Sequence, residues 1–207
     1  MAYWAPVQYF TKLAAAAPGA LLERHEHYVK QSYRNRCQIA TANGVLALIV
    51  PVVGTRGVRT PVRDVRIDYA EPWQRHHWRA IESAYRSSPF FEYYADDMRP
   101  FYERKESFLF DLNERILYLA LDLIGLKITM AYTHAYIPAY SAPDFRPVIS
   151  PKRPYAQHDP QFKPQTYYQV FAPANGFAAN MSILDLLCNE GPNALSVLRA
   201  SVAACAH

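Results

Sequence analysis

Residues 38–53 read QIATANGVLALIVPVV. Asn43-Gly44 is a strong turn signal between two apolar arms, and the arrangement predicts a β-hairpin. A hairpin requires antiparallel pairing, so the sheet of this chain is expected to be antiparallel in part. The second arm, VLALIVPVV, is a near-continuous apolar run, the pattern of a strand buried on both faces. Outward from the hairpin, strand-like and helix-like stretches alternate. That alternation predicts an α/β fold in which helices pack on one mixed β-sheet.

Upstream, residues 20–39 read as β structure. Alternation separates His25, His27, Val29, Gln31, Tyr33, Asn35 and Cys37 from Glu26, Tyr28, Lys30, Ser32, Arg34 and Arg36. Before them, residues 3–10 (YWAPVQYF) predict a strand and 11–17 (TKLAAAA) a helix ended by Pro18-Gly19. Downstream, 54–61 (GTRGVRTP) is a basic loop and 64–69 (DVRIDY) another strand. Glu71-Pro72 opens a helix on whose apolar face Trp73, His77, Ala80, Ile81, Ala84 and Tyr85 recur. A short aromatic helix and a turn follow over 90–102. A longer helix runs from Ser107, its expected N-cap, to Gly125, with Phe108, Leu112, Ile116, Leu119 and Leu123 as its buried stripe. Residues 127–137 and 166–171 (TYYQVF) read as strands. Ser182 to Asp185 resembles a capping box, starting a helix that stops at Asn189-Glu190-Gly191, and Pro192 onward gives a last helix. Residues 138–164 hold seven prolines and resist regular structure. A functional lid and a disordered segment both fit that composition.

With 207 residues the chain has room for one domain spanning 1–207 and its own core. A hydrophobic fraction of 51% against 19% charged residues sets it apart from disordered chains. The net charge of +4 is too small to imply nucleic acid by itself. None of the seven glycines falls into GxGxxG or GxxxxGK[ST], which excludes the dinucleotide fingerprint and the P-loop. Cys37, Cys188 and Cys205 lie far apart, so neither a disulfide framework nor a cysteine zinc site is expected. No secretory signal or membrane span is evident, and a cytoplasmic location without membrane partners is the expectation.

The stretch 30–36 (KQSYRNR) gathers three cations with amide and hydroxyl groups, a set suited to an anionic ligand because Arg binds phosphate with paired donors. An exposed strand edge protected by charge would read the same way. His77 on an apolar helix face is either a packed histidine or a general acid–base. His25 and His27 share a face but have no third ligand, and no metal site is expected. Cys37 reads more readily as a small buried hydrophobe than as a nucleophile. Asp96-Asp97 reads as a solvated helix end.

The strings HEHYVKQSYRNRCQI (25–39), NGVLALIVPV (43–52), DVRID (64–68) and the W..HHW.AI.SAY.SSPFFEYYADD pattern (73–97) resemble the WbqC-like protein family. The closing stretch YYQVF....GF..NMSILDLLCNEGP (167–192) resembles the same family's C-terminal signature, so the likeness runs from Pro6 to about Leu198. The resemblance implies a link to bacterial O-antigen and other surface-polysaccharide biosynthesis, with cytoplasmic work on a nucleotide-linked sugar as a transferase. Motif positions matched here include Gln8, Tyr9, Phe10, Lys30, Ser32, Tyr33, Asn35, Arg36, Trp73, His77, Gln169, Asn180, Ser182, Asp185, Asn189 and Gly191. On that basis Lys30, Arg34 and Arg36 are expected to hold phosphates. Asn35, Gln8, Tyr9 and Gln169 join them in substrate binding, and His77 and Tyr33 are the expected catalytic groups. Ser182 and Asp185 are read as structural. No cofactor is named by the sequence. A non-catalytic binding or scaffold protein of a polysaccharide assembly system is the alternative. RNA binding ranks third, and it would need a contiguous basic surface.

Overall fold

In the computed structural model, residues 1–16, 19–54, 59–141 and 143–203 are described. Helix α1 (Val7–Ala15) leads into β1 (Gly19–Leu22), followed by the hairpin of β2 (Arg36–Thr41) and β3 (Gly44–Ile49). Next come α2 (Trp73–Tyr85), α3 (Phe91–Met98), α4 (Pro100–Glu103), α5 (Leu109–Ile124) and β4 (Thr129–Tyr132). Two single turns, α6 (Tyr155–His158) and α7 (Ala172–Asn175), precede α8 (Ile183–Glu190) and α9 (Ala194–Ala200). The fold is mixed α/β, with two two-stranded sheets among the described residues. β1 pairs in parallel with β4, and β2 antiparallel with β3.

The hairpin forms where the sequence places it, with Thr41 opposite Gly44. Ala42 and Asn43 take the tip, and Gly44 carries the positive φ of +97° that a side chain would strain. The expectation that the second arm is buried on both faces is corrected. Leu48 and Val50 are buried, whereas Val45, Leu46, Ala47 and Ile49 are exposed, because among the described residues no second sheet layer lies over the hairpin.

α8 is the centre of the core. Every residue from Ile183 to Asn189 is buried, as befits a helix that is apolar on nearly all sides. α5 contributes Leu109, Leu112, Ile116, Leu117, Ala120 and Ile124, and it ends on Gly125 in the left-handed conformation. Its stripe is therefore rotated from the expected one, with Leu119 and Leu123 only half-buried. The start is Phe108, not Ser107, and no side chain caps it. α2 buries Trp73, Gln74, His77, Ile81, Ala84 and Tyr85, close to the expected face.

Four strand expectations are corrected. Residues 3–10 begin α1 at Val7, leaving of the strand only a bridge from Pro6 to Ser182. Residues 20–39 are not continuous β structure. β1 ends at Leu22, and turns occupy 24–35 before β2 begins. Residues 64–69 form no continuous strand, since a 3-10 turn over Val62–Asp64 leads into isolated bridges through Arg66 and Ile67. Residues 166–171 form no strand, since no described strand pairs with them, and the Tyr167 and Gln169 side chains anchor the segment by donating to Asp185 of α8. Of the basic loop 54–61, residues 55–58 lie outside the described residues, as does Pro18 of the expected Pro18-Gly19 stop.

The proline-rich segment packs on α1. Lys12 Nζ donates to Asp159 Oδ1 at 2.7 Å, Gln8 Nε2 donates to Asp159 Oδ2 at 2.8 Å, and Phe162 is buried beside Tyr155. Lys12 and Asp159 are both more than nine-tenths buried, so the pair fixes the segment's position.

Candidate functional site

Of the charged stretch 30–36, residues 30–35 are a turn-rich loop folded back onto the hairpin, and Arg36 opens β2. Gln31 adopts a left-handed φ of +56°, and Ser32 Oγ donates to the Val29 carbonyl at 2.6 Å, which closes the turn. The loop is then fastened at successive residues. Tyr33 O accepts from Tyr3 N at 2.9 Å, and Arg34 O accepts from Asn113 Nδ2 of α5 at 2.7 Å. Asn35 O accepts from Val50 N at 2.8 Å, while Asn35 Nδ2 donates to Val50 O at 2.9 Å. Asn35 thus grips both backbone polar groups of Val50, just past the end of β3.

This folding opens a cleft of about 500 Å³ between the loop and the hairpin, within the range of small-molecule sites. Tyr28, Lys30, Gln31, Asn35 and Arg36 line one side, and Ile49, Val52 and Gly54 the other. Lys30 and Arg36 form no ion pair with any described carboxylate. Arg36 Nε and Asn35 Oδ1 are buried without a hydrogen-bond partner, a donor and an acceptor on adjacent residues. Burial pushes the Tyr28 hydroxyl up to about 12, so it stays protonated. Two uncommitted cations beside neutral donors and an apolar wall form a setting for an anionic group attached to a less polar body.

The other nominated residues sit elsewhere. Arg34 pairs with Glu26 and is outside the cleft lining. Tyr33 is buried, and burial raises its hydroxyl to about 12. His77 lies behind the hairpin in an aromatic box, 5.0 Å from the Trp73 ring and 5.7 Å from that of Tyr3. Its Nδ1 is 2.9 Å from the Tyr3 hydroxyl, which continues to Tyr102 at 3.2 Å and on to Trp4 Nε1 at 2.8 Å. Desolvation lowers His77 to about 4, against which the nearby Ile49 carbonyl works only weakly, so the ring is neutral at pH 7.

Gln8 exchanges hydrogen bonds with Asn180 and donates to Asp159, on the opposite side of the core. Tyr9 holds a buried hydroxyl with no partner, and desolvation raises its pKa. Gln169 is wholly committed. Its Nε2 donates to Asp185 Oδ2 at 2.6 Å and to Ala178 O at 3.0 Å, and its Oε1 accepts from Ala178 N at 2.9 Å. The nominated residues therefore divide into Lys30, Asn35 and Arg36 in the cleft, supports behind it, and a remote polar network.

Sequence reasoning missed Tyr28, Gln31, Ile49 and Val52 as cleft residues. Tyr28 and Gln31 are interleaved with Lys30 in the string, a signal that could have found them. Ile49 and Val52 carry none, since their exposure depends on what fails to cover the hairpin. Asp185 was misread. Ser182 Oγ does cap α8, accepting from Leu184 N at 3.2 Å. The Asp185 carboxylate does not reach back to complete a capping box. It accepts from Tyr167 and Gln169, with Oδ1 unpartnered and the Tyr85 hydroxyl alongside but outside hydrogen-bond geometry. Burial raises it to about 6.

Among the described residues no group of three or more His, Cys, Asp or Glu side chains is placed to hold a metal ion. His25 Nε2 instead sits 3.0 Å from the Thr133 carbonyl. Cys37 and Cys188 are free and fully buried, and desolvation raises both thiols far from the thiolate. No described helix is long and apolar enough to cross a membrane.

The model of the WbqC-like protein family matches residues 2–146, which include the cleft and the whole hairpin. The chain belongs to this family. The closing signature at 167–192 lies beyond the matched residues of this WbqC-like chain. An uncharacterized protein of Mycobacterium tuberculosis, Rv1507c, is 32% identical over 110 residues, covering 53% of this chain and 47% of its own. The chain thus matches about half the length of that relative. No solved structure matches it.

Proposed function

We propose that this WbqC-like chain binds a nucleotide-linked sugar in the 28–36 cleft and acts on it as a transferase in surface-polysaccharide precursor biosynthesis. One observation carries the reading. Lys30 and Arg36, neither of which has a carboxylate partner among the described residues, line a cleft of about 500 Å³ together with Asn35, whose amide oxygen is unpartnered. Phosphate oxygens would take the Lys30 and Arg36 donors, and a sugar hydroxyl would donate to Asn35 Oδ1. Tyr28 offers an aromatic face beside them.

A second reading, binding without catalysis, is supported by the placement of His77 and Tyr33. Neither lines the cleft, and His77 faces Tyr3 through Nδ1. Calorimetric titration with UDP-, TDP- and GDP-linked sugars separates the outcomes. Binding by wild type, weakened about 10- to 150-fold in Arg36→Ala, supports the site, since a hydrogen bond to a charged group is worth about 1.5–3 kcal/mol. Equal affinity in that variant overturns the phosphate assignment. Turnover that survives His77→Gln removes that residue from the chemistry.

A further inference from the structure

The hairpin register places a cation at the head of an exposed apolar track. Paired residues on adjacent antiparallel strands share a face. Arg36 therefore shares one face with Ile49, Gln38 with Ala47, and Ala40 with Val45. On that face Ile49 is 43% exposed and Val45 is 51% exposed, with Ala47 exposed between them. At one end Ile49 belongs to the wall of the cleft that holds Arg36 and Lys30. At the other, Val45 and Ala40 border a smaller groove of about 70 Å³ closed by Phe171 and Ala172. From Val45 to Ile49 the strand advances four residues, roughly 13 Å.

Of the large hydrophobics exposed among the described residues, Val45 and Ile49 stand on this face, while Leu46, opposite Ile39, stands on the other. Scattered single apolar side chains need no explanation, but a contiguous row leading from a pair of free cations does. A soluble sugar phosphate would use the cations and leave the row in water.

We propose that the hairpin face binds a single-chain amphiphilic anion, a phosphate ester whose head occupies the Lys30–Arg36 cleft and whose aliphatic chain lies along Ile49, Ala47 and Val45 toward Phe171. The proposal rests on the reading of Lys30 and Arg36 as an anion site and extends it to a ligand with a hydrocarbon tail. An extended chain of about eleven carbons spans the strand segment of roughly 13 Å, and an octyl chain covers about two-thirds of it. Charge complementarity fixes the polarity of the ligand, with the head at Arg36 and the tail at Val45. The partial exposure of the row implies that each methylene is half-covered, so the chain adds affinity in small equal steps.

The test is calorimetric titration of the full chain with ethyl phosphate, octyl phosphate below its micelle concentration, and octanol. Octyl phosphate is expected to bind about 50-fold more tightly than ethyl phosphate, from six half-covered methylenes. In the double variant Val45→Thr/Ala47→Ser, at solvent-facing positions that do not line the cleft, that ratio is expected to fall below about 15-fold while ethyl phosphate binds unchanged. Arg36→Ala is expected to weaken both phosphates. Equal binding of the two phosphates to wild type, lost in Arg36→Ala, would overturn the chain-binding proposal and leave the anion site standing. Octanol binding as tightly as octyl phosphate would overturn the amphiphilic part. Failure of every phosphate ester and nucleotide sugar to bind would remove the anion site and this proposal together.

Discussion

Two buried titratable groups in this protein oppose each other in acid, and separating them tests the core directly. His77 is lowered from 6.5 to about 4 by desolvation in its aromatic box. From pH 6.5 downward the unfolded chain takes up a proton there that the folded chain refuses, so stability falls by about 1.4 kcal/mol per pH step, about 3 kcal/mol by pH 4. Asp185 is raised from 3.8 to about 6 by burial, against the hydrogen bonds from Tyr167 and Gln169. From pH 6 downward the folded chain protonates first, and stability rises by about 1.4 kcal/mol per step, also about 3 kcal/mol in all. Between pH 6 and 4 the two contributions nearly cancel. Asp185→Asn keeps an oxygen for Tyr167 and Gln169 but cannot titrate. Relative to wild type, this variant is expected to lose about 3 kcal/mol as pH falls from 6 to 4. His77→Gln is expected to gain a similar amount over the same range, and the double variant to follow wild type again. Urea unfolding at pH 4, 5, 6 and 7 measures all four proteins, and the other carboxylates drop out of the differences. A constant offset between Asp185→Asn and wild type at every pH would refute the reasoning, because it would mean that Asp185 titrates normally.

Asp159→Ala should cost about 3–5 kcal/mol by leaving the Lys12 ammonium buried and unpaired, and adding Lys12→Met should recover more than half; thermal melts of the two variants check it. Gly191→Ala should cost about 2–5 kcal/mol, since φ is +52° and the new methyl would stand 2.5 Å from the Phe90 ring. Gly125→Ala, at φ +73° with open space around it, should cost only about 1 kcal/mol, so chemical denaturation of the pair separates collision from backbone strain. Cys37 and Cys188 should resist Ellman's reagent in the native protein and react in denaturant, as buried thiols do.

The parts of this fold legible in the sequence are those fixed by local chemistry. Asn43-Gly44 marks the hairpin because the turn needs a positive φ, and Gly44 supplies it. Trp73, His77, Ile81 and Tyr85 mark α2 by their spacing, and Gly125 marks the end of α5. The misreadings come from tertiary context. VLALIV has the text of a doubly buried strand, but burial depends on a covering layer, and among the described residues none buries Val45 and Ile49. Residues 24–35 alternate like a strand, yet Asn113, Tyr3 and Val50 draw their backbone into a folded loop. In the candidate site, Lys30, Asn35 and Arg36 were legible as neighbours in one short string. Arg34 could not be separated from them without knowing that Glu26 folds back to meet it. Asp185 has the spacing of a capping residue from Ser182, but aspartate is a methylene shorter than the glutamate that usually reaches back, and Tyr167 and Gln169 claim it.

The central claim is that Arg36 and Lys30 hold the phosphates of a nucleotide-linked sugar. The most direct measurement is the thermal unfolding of wild type and Arg36→Ala across UDP-, TDP- and GDP-sugars and the free nucleotides. At 100 times its dissociation constant a specific ligand should stabilise wild type by about 2.7 kcal/mol, a rise of several degrees for a chain of this size. The account predicts that rise with one nucleotide sugar and its loss in Arg36→Ala. An equal rise in both proteins, or none with any ligand, would contradict it.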